Sequence, residues 1–283
     1  MIKDCKFAFF GTAEFAVIIL EKLIKAGRQP EVVVCNPDKP VGRKKVINIP
    51  LTKLLAQKYG IKVYQPEKLG VGNSAPEAGN ADFAIVAAYG QIIPRDILGL
   101  FPDGVIGVHP SLLPKYRGSS PVQTVILNGE NETGVTLFLM DEKIDHGKIL
   151  ASGKSQMANG ETYQSLLKKL AETAADLMIE TLPKLLDGEI KPISQDENLA
   201  SYTGKFITED GFVDLEKDNP AVIERKIRAL NPEPGVYTFM PASGLADKKK
   251  RVKLLEAVLK DGQLFITKIQ VEGQKPRTAK IRI

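Results

Sequence analysis

The chain has few of the residues that build metal centres or disulfide frameworks: two cysteines and two histidines in 283 residues. Cys5 and Cys35 lie in or beside apolar runs and lack metal-ligand spacing, so no metal site is expected and the thiols should be reduced and inert. Long apolar runs are also missing. None approaches the roughly 18 residues of a membrane span. Near the start, Lys3, Asp4 and Lys6 interrupt the one short apolar run and no small-residue cleavage site follows it, which argues against a secretory leader. Gly11-Thr12-Ala13-Glu14 lacks the G-x-G-x-x-G spacing of a dinucleotide fold, so a nicotinamide-dependent dehydrogenase is disfavoured. Internal repeats and low-complexity stretches are absent. The expectation is a cytoplasmic protein with no membrane association.

What is present is a chain of 43% hydrophobic residues and mean hydropathy -0.10, longer than a usual single domain. One large and one small domain are expected. A net charge of +5 and pI near 9.0 suit an acidic partner such as RNA or a polyanionic cofactor.

The first half alternates short β-rich runs with helical patterns. Lys6 to Phe10 reads as a strand, followed by a helix with Phe15, Ile18, Ile19, Leu23 and Ile24 at helical spacing. Further strands are expected at Glu31 to Cys35, Ile61 to Tyr64, Asp82 to Ala87, Val105 to Val108 and Val135 to Met140. Near-continuous apolar strands suit a sheet covered on both faces, so the fold class is α/β, a Rossmann-like, doubly wound, mostly parallel sheet. A long amphipathic helix between Gly160 and Gly188 closes this part, and Lys191 to Gly204 reads as a connector. Pro220 to Leu230 reads as a helix stopped by Asn231-Pro232. Runs at Val236 to Met240, Val252 to Val258, Leu264 to Gln270 and Ala279 to Ile283 then suggest a small C-terminal β-barrel. The expected division is 1–190, a linker at 191–204, and 205–283.

In doubly wound sheets ligands bind beyond the carboxyl ends of the strands. Both histidines, His109 and His146, fall just past proposed strand ends. His109 precedes a proline-stiffened loop running from Pro110 to Gly118, a setting that can hold a general acid or base at hydrogen-bond distance. Asp141, Glu142 and Asp145 follow the strand ending at Met140, and chemistry alone leaves the choice among them open. Two basic segments, Asp38 to Lys45 and Lys248 to Arg251, read either as solvated surface or as contacts to a nucleic-acid backbone.

The stretch His109-Pro110-Ser111-Leu112-Leu113-Pro114, with Arg117-Gly118, Pro121 and the later Asp145-x-Gly147, resembles the signature of the folate-dependent formyltransferases. Phe10 to Ala16, Pro37 to Arg43, Ala88 to Pro94 and Ile227 to Gly235 are most similar to the methionyl-tRNA-formylating branch, and the similarity spans essentially the whole chain. The resemblance implies a catalytic domain followed by an OB-like tRNA-binding domain, with 10-formyltetrahydrofolate as co-substrate and no metal. It further implies the initiator methionyl-tRNA and folate as partners, and a monomer. His109 and Asp145 then match the family's catalytic pair. Ser111, Leu112, Leu113 and Pro114, with Tyr89, Gly90, Gln91 and Ile92, match segments that border the folate. Arg43, Lys44 and Lys45 match the loop that meets the tRNA acceptor end, and Lys248, Lys249, Lys250 and Arg251 are assigned to tRNA as well. The implied reaction is attack of an α-amine on the formyl carbon, with negative charge on the oxygen of the tetrahedral intermediate.

One position departs from the family pattern Asn-x-His: residue 107 is Gly107, so the side-chain amide expected to face that oxygen is missing. A missing oxyanion donor costs about 10²–10³ in rate. The expectation is that a water, His146 or Gln123 substitutes, and that Gly107→Asn raises turnover.

Overall fold

The computed structural model describes residues 6–41, 46–70, 80–242 and 245–283. In chain order its strands are β1 (Phe7–Gly11), β2 (Val32–Val34), β3 (Lys39–Val41), β4 (Val46–Asn48), β5 (Lys62–Tyr64), β6 (Phe83–Ala87), β7 (Val105–His109), β8 (Arg117–Gly118), β9 (Glu132–Leu139) and β10 (Ile149–Gln156), then β11 (Tyr202–Thr203), β12 (Tyr237–Ala242), β13 (Leu245–Lys260), β14 (Gln263–Val271) and β15 (Arg277–Arg282). The α-helices are α1 (Glu14–Lys25), α2 (Leu51–Lys58), α3 (Arg95–Leu98), α4 (Pro121–Asn128), α5 (Tyr163–Leu186) and α6 (Pro220–Leu230).

The chain divides into two compact units. The first comprises residues 1–118, 133–155 and 167–202; the second comprises 119–132, 156–166 and 203–283. Two short segments from within the first 190 residues therefore group with the C-terminal stretch.

The principal sheet has seven strands in the order β10-β9-β7-β6-β1-β2-β5. From β7 to β5 the pairings are parallel, whereas β9 runs antiparallel to β7. The expected mostly parallel α/β sheet is thus present. Its parallel strands are apolar because both faces are covered: all five residues of β1 and of β7 are buried. Helix α1 buries Phe15, Ala16, Ile19, Leu20 and Leu23, while Ile18 and Ile24 are only half-buried. Its apolar stripe is therefore turned slightly from the expected one, since small Ala16 allows close approach to the sheet. The connection from β1 runs to β2 on one side, and β6 lies on the other, so the strand order reverses at β1. That is the place where open α/β sheets leave a crevice for ligands. The loops there are tied together: the Thr12 amide donates to the Ala88 carbonyl, and the Thr12 hydroxyl and the Asn36 amide group both donate to the Tyr89 carbonyl.

Two features were not expected. The basic stretch after β2 is flanked by a small antiparallel hairpin, β3 with β4, rather than being loop throughout. Strand β10 is half-exposed and polar at alternate positions, burying chiefly Leu150 and Ser155, so it carries no apolar run to reveal it.

In the second unit, α4 begins with Pro121 at its first turn and ends at Gly129 in the left-handed conformation. It packs beside α6, whose first turn is capped by the Asn219 side chain. Strands β12 to β15 form a four-stranded antiparallel sheet consistent with the expected small barrel. Val252, Leu254, Leu264, Ile266 and Ile269 of this sheet are buried, as are Ile223, Ile227 and Leu230 of α6, which packs on β13 and β14.

Candidate active site

The candidate site lies wholly in the first unit, at the end of β7. His109 is the last residue of that strand, pairs across to Thr136 of β9, and is 6% exposed. Its Nδ1 lies 3.5 Å from Asp145 Oδ2. Its Nε2 lies 2.8 Å from the Tyr116 carbonyl oxygen. A carbonyl only accepts, so Nε2 carries a proton and Nδ1 is the nitrogen that addresses the carboxylate. Both ring nitrogens are thus engaged within the protein. Proton exchange with a substrate requires one of these contacts to be traded for it.

Asp145 sits in the turn after β9 with φ of 48°, a left-handed conformation uncommon for a non-glycine residue. The turn returns so tightly that a Cβ on Gly147 would strike the Leu139 carbonyl. Asp145 Oδ2 accepts the Gly118 amide at 2.7 Å. Of the three carboxylates left open by sequence, Asp145 is therefore the one that meets His109. Asp141 instead accepts His146 Nδ1 at 2.5 Å, and Glu142 lies 3.2 Å from Arg95 on the surface. His146 Nε2 lies 3.6 Å from Glu197, so both of its nitrogens face carboxylates.

The loop between His109 and Gly118 is held by buried polar groups. The Thr136 hydroxyl donates to the Ser111 carbonyl at 2.7 Å and accepts the Leu113 amide at 3.0 Å. The Ser111 hydroxyl donates to the Lys115 carbonyl at 2.6 Å. Leu113 is buried, Leu112 and Pro114 are half-buried. Arg117 is completely buried, and its guanidinium forms a fork on the Glu197 carboxylate at 2.6 and 2.9 Å. It also donates to Gln195 Oε1 and to the Tyr202 hydroxyl. The hydrogen bond to Glu197 raises the Arg117 pKa further above its already high value, and the same bond holds the Glu197 carboxyl below the usual range. Gln195, Glu197, Ser201 and Tyr202 come from the stretch that reads as a connector. Nothing in their polar sequence signalled a role, because their partner Arg117 is about 80 residues away in the chain.

At the second loop, Tyr89 is 3% exposed and packs edge-on against Phe10 in the core. Burial pushes its phenol up to about 12. Gln91 spends its amide on the Asn36 side chain, the Pro66 carbonyl and the Leu69 amide. Gly90 has φ of 86°, and Ile92 is 85% exposed. Tyr89 and Gln91 thus shape this loop through internal contacts, whereas Ile92 presents an apolar surface.

Gly107 lies two residues before His109 on the same face of β7, opposite Phe138. A Cβ placed on it would strike Phe138 Cζ, lie 2.5 Å from Phe138 Cε1 and 3.1 Å from Met140 Cγ. The position a Cβ would take on Gly107 is therefore occupied by apolar side chains. His146, one of the expected substitutes, has both ring nitrogens turned to carboxylates, Asp141 and Glu197. No group of three or more His, Cys, Asp or Glu suited to a metal occurs among the described residues.

Cys35 is buried and free, and desolvation pushes its thiol up to about 11, so it is protonated at neutral pH. Arg43, Lys44, Lys45 and Cys5 lie outside the described residues, as does the side chain of Lys248. Lys249 and Lys250 are exposed on β13, while Arg251 is half-buried with its guanidinium 3.6 Å from the centre of the Tyr237 ring.

Residues 5–182 match the formyl transferase family, and residues 205–263 match its C-terminal domain. A methionyl-tRNA formyltransferase of Citrifermentans bemidjiense is 37% identical, covering 95% of this chain and 90% of that protein. One from Dictyoglomus thermophilum is 37% identical, covering 94% and 92%. Among solved structures, the N-formyltransferase of Helicobacter canadensis, in complex with folinic acid and dTDP-3-aminofucose, superposes with a TM-score of 0.69 at 21% identity, covering 98% of this chain and all of that one. HypX of Aquifex aeolicus in complex with tetrahydrofolic acid gives 0.63 at 19% identity, covering 99% and 46%. The structural likenesses speak for the fold alone. The match over more than half of the chain, together with relatives aligned over nearly its full length, establishes that this chain belongs to the formyl transferase family and is a transferase of formyl groups.

Proposed function

We propose that the protein transfers the formyl group of 10-formyltetrahydrofolate to the α-amine of the initiator methionyl-tRNA, in the cytoplasm and as a monomer. The observation that carries this reading is full-length similarity to methionyl-tRNA formyltransferases, combined with the His109–Asp145 pair at the end of β7. An alternative acceptor, the amine of an amino-sugar nucleotide, draws only on fold-level likeness to the Helicobacter canadensis N-formyltransferase.

Folate fits the residues available. The exposed side chain of Ile92 and half-buried Leu112 offer apolar surface to an aromatic ring system, and the loops around Gly90 and Ser111 to Pro114 are preorganised by their internal hydrogen bonds. Contacts from Tyr89 and Gln91 would come through their backbone. The folate supplies an activated formyl carbon.

The protein's part is to hold the amine as it attacks the formyl carbon, to move its proton toward the folate nitrogen whose bond to that carbon breaks as tetrahydrofolate leaves, and to steady the charge that develops on the formyl oxygen. His109 does both of the latter through whichever ring nitrogen releases its internal partner. Asp145 orients the ring, and Gly118 fixes Asp145. Arg43, Lys44 and Lys45, with Lys248, Lys249 and Lys250, engage phosphates of the tRNA. Arg251 contributes charge from its stack on Tyr237.

The test is transfer of labelled formyl to methionyl-tRNA, beside free methionine and an amino-sugar nucleotide. Labelled formyl-methionyl-tRNA is expected. Product on the sugar nucleotide alone would replace this reading.

A further inference from the structure

Gln195 makes four hydrogen bonds with its side chain, and they fall into two arms. Its Oε1 accepts Arg117 Nε at 3.1 Å and Nη2 at 2.8 Å. Its Nε2 donates to the Asp145 carbonyl at 2.9 Å and to the Gly147 carbonyl at 2.8 Å. The orientation of this amide is fixed by chemistry, since a guanidinium only donates and a carbonyl only accepts. Arg117 and Asp145 are therefore fastened to each other twice. One link runs from the Gly118 amide, adjoining Arg117, to the Asp145 carboxylate, and the other runs through Gln195 to the Asp145 backbone. The second link holds a turn that otherwise bears a left-handed non-glycine residue.

We propose that Gln195 is a positioning residue for the His109–Asp145 pair, fixing the Asp145 turn so that its carboxylate faces His109, with the Glu197–Arg117 fork as its anchor. The inference rests on the reading of that pair as catalytic. The segment joining α5 to β11 is on this view part of the catalytic apparatus. A small displacement of a catalytic group can cost about 10²-fold in rate, so the effect is measurable.

Gln195→Glu separates the two arms. It keeps an oxygen toward Arg117 and adds charge there, but it turns an acceptor toward two carbonyls. If Gln195 matters only as a partner of Arg117, this variant is fully active. We expect instead a fall in kcat of roughly 10- to 100-fold with KM for methionyl-tRNA within about twofold, the signature of lost orientation rather than lost binding. In an Asp145→Asn background the same substitution should add little, because it acts through Asp145. A kcat within about threefold of the parent, or fully multiplicative losses in the double variant, overturns the proposal. Should Gln195→Glu not accumulate as folded protein, the cycle is run with Gln195→Met, which removes both arms without adding charge.

A spectroscopic readout is independent of turnover. The chain has two histidines, so the imidazole nitrogen resonances of His109 are assigned with one His146→Gln variant. Gln195→Glu should shift them in the full-length protein, and unshifted His109 resonances refute the positioning role even if no acceptor is formylated. Absence of formyl transfer by the parent, with the shift present, would instead count against the proposed function alone.

Discussion

Gly107→Asn is the substitution that the family pattern invites, and the structure forecasts a poor outcome for it alone. The conflict is at Cβ, which would lie 2.5 Å from Phe138 Cε1 and against Cζ, so no rotamer of the new side chain relieves it. Ordinary carbon contacts are about 3.5 Å, which requires the ring to retreat by roughly 1 Å. Phe138 is 2% exposed, so the ring must retreat within a packed interior, and Met140 Cγ crowds the new Cβ as well, at 3.1 Å. Overpacking of this kind costs about 1–3 kcal/mol. At about 2–4 °C per kcal/mol for a chain of this class, the melting midpoint should fall by roughly 2–12 °C. An oxyanion donor contributes roughly 3–4 kcal/mol to the transition state, but only if its amide reaches the right point. With the ring in place it does not, and turnover should stay level or fall. Gly107→Asn combined with Phe138→Leu makes room, and should recover much of the melting midpoint and exceed the parent in turnover. Thermal denaturation and labelled-formyl transfer on the parent, the Gly107→Asn variant and the double variant decide the matter. A Gly107→Asn single variant as stable as the parent and at least tenfold faster would falsify the steric reasoning.

Replacing His109 with Ala should lower kcat by about 10²–10⁴, measured by formyl transfer under saturating substrates; a smaller loss would remove it from the proton-handling role. Cys35 should react with a disulfide reagent at pH 8 only as fast as the protein unfolds, because its thiol is pushed up to about 11; rapid labelling of Cys35 in the folded state, resolved by peptide mapping, would contradict its burial. The Glu197 carboxyl is held low in the folded state by Arg117, so the unfolded chain takes up that proton first as pH falls. The stability gap between the parent and Glu197→Gln should therefore be complete above the ordinary carboxyl value of 4.5 and close as pH falls through the depressed one. Urea unfolding across pH tests this, and a gap that widens in acid would reverse the assigned sign. Binding of methionyl-tRNA should weaken steeply with salt, and neutralising Lys249 and Lys250 should flatten that slope by about one unit for each phosphate they engage; a salt-independent affinity would remove them from the interface.

Much was legible from sequence because it depended on local patterns. The apolar runs of β1, β2, β6 and β7 announce strands buried on both faces, and Pro220 to Leu230 carries its own start and stop signals. His109 could be singled out from its strand-end position and the stiff loop after it. Strand β10 escaped because an edge strand of mixed polarity has no period strong enough to see. The roles of Asp141 and Asp145 were indistinguishable in sequence, since both are carboxylates in one charged turn. The left-handed backbone at residue 145 turns one toward His109 and leaves the other to His146. The burial of Arg117 among Gln195, Glu197 and Tyr202, and the filling of the space beside Gly107 by Phe138, join residues far apart in the chain. Periodicity and propensity report a residue's near neighbours along the chain, so they determined the elements, while the family signature rested on the resemblance of short contiguous motifs. Which side chains share a cavity depends on the pairing and twist of distant strands, and only the tertiary structure could decide that.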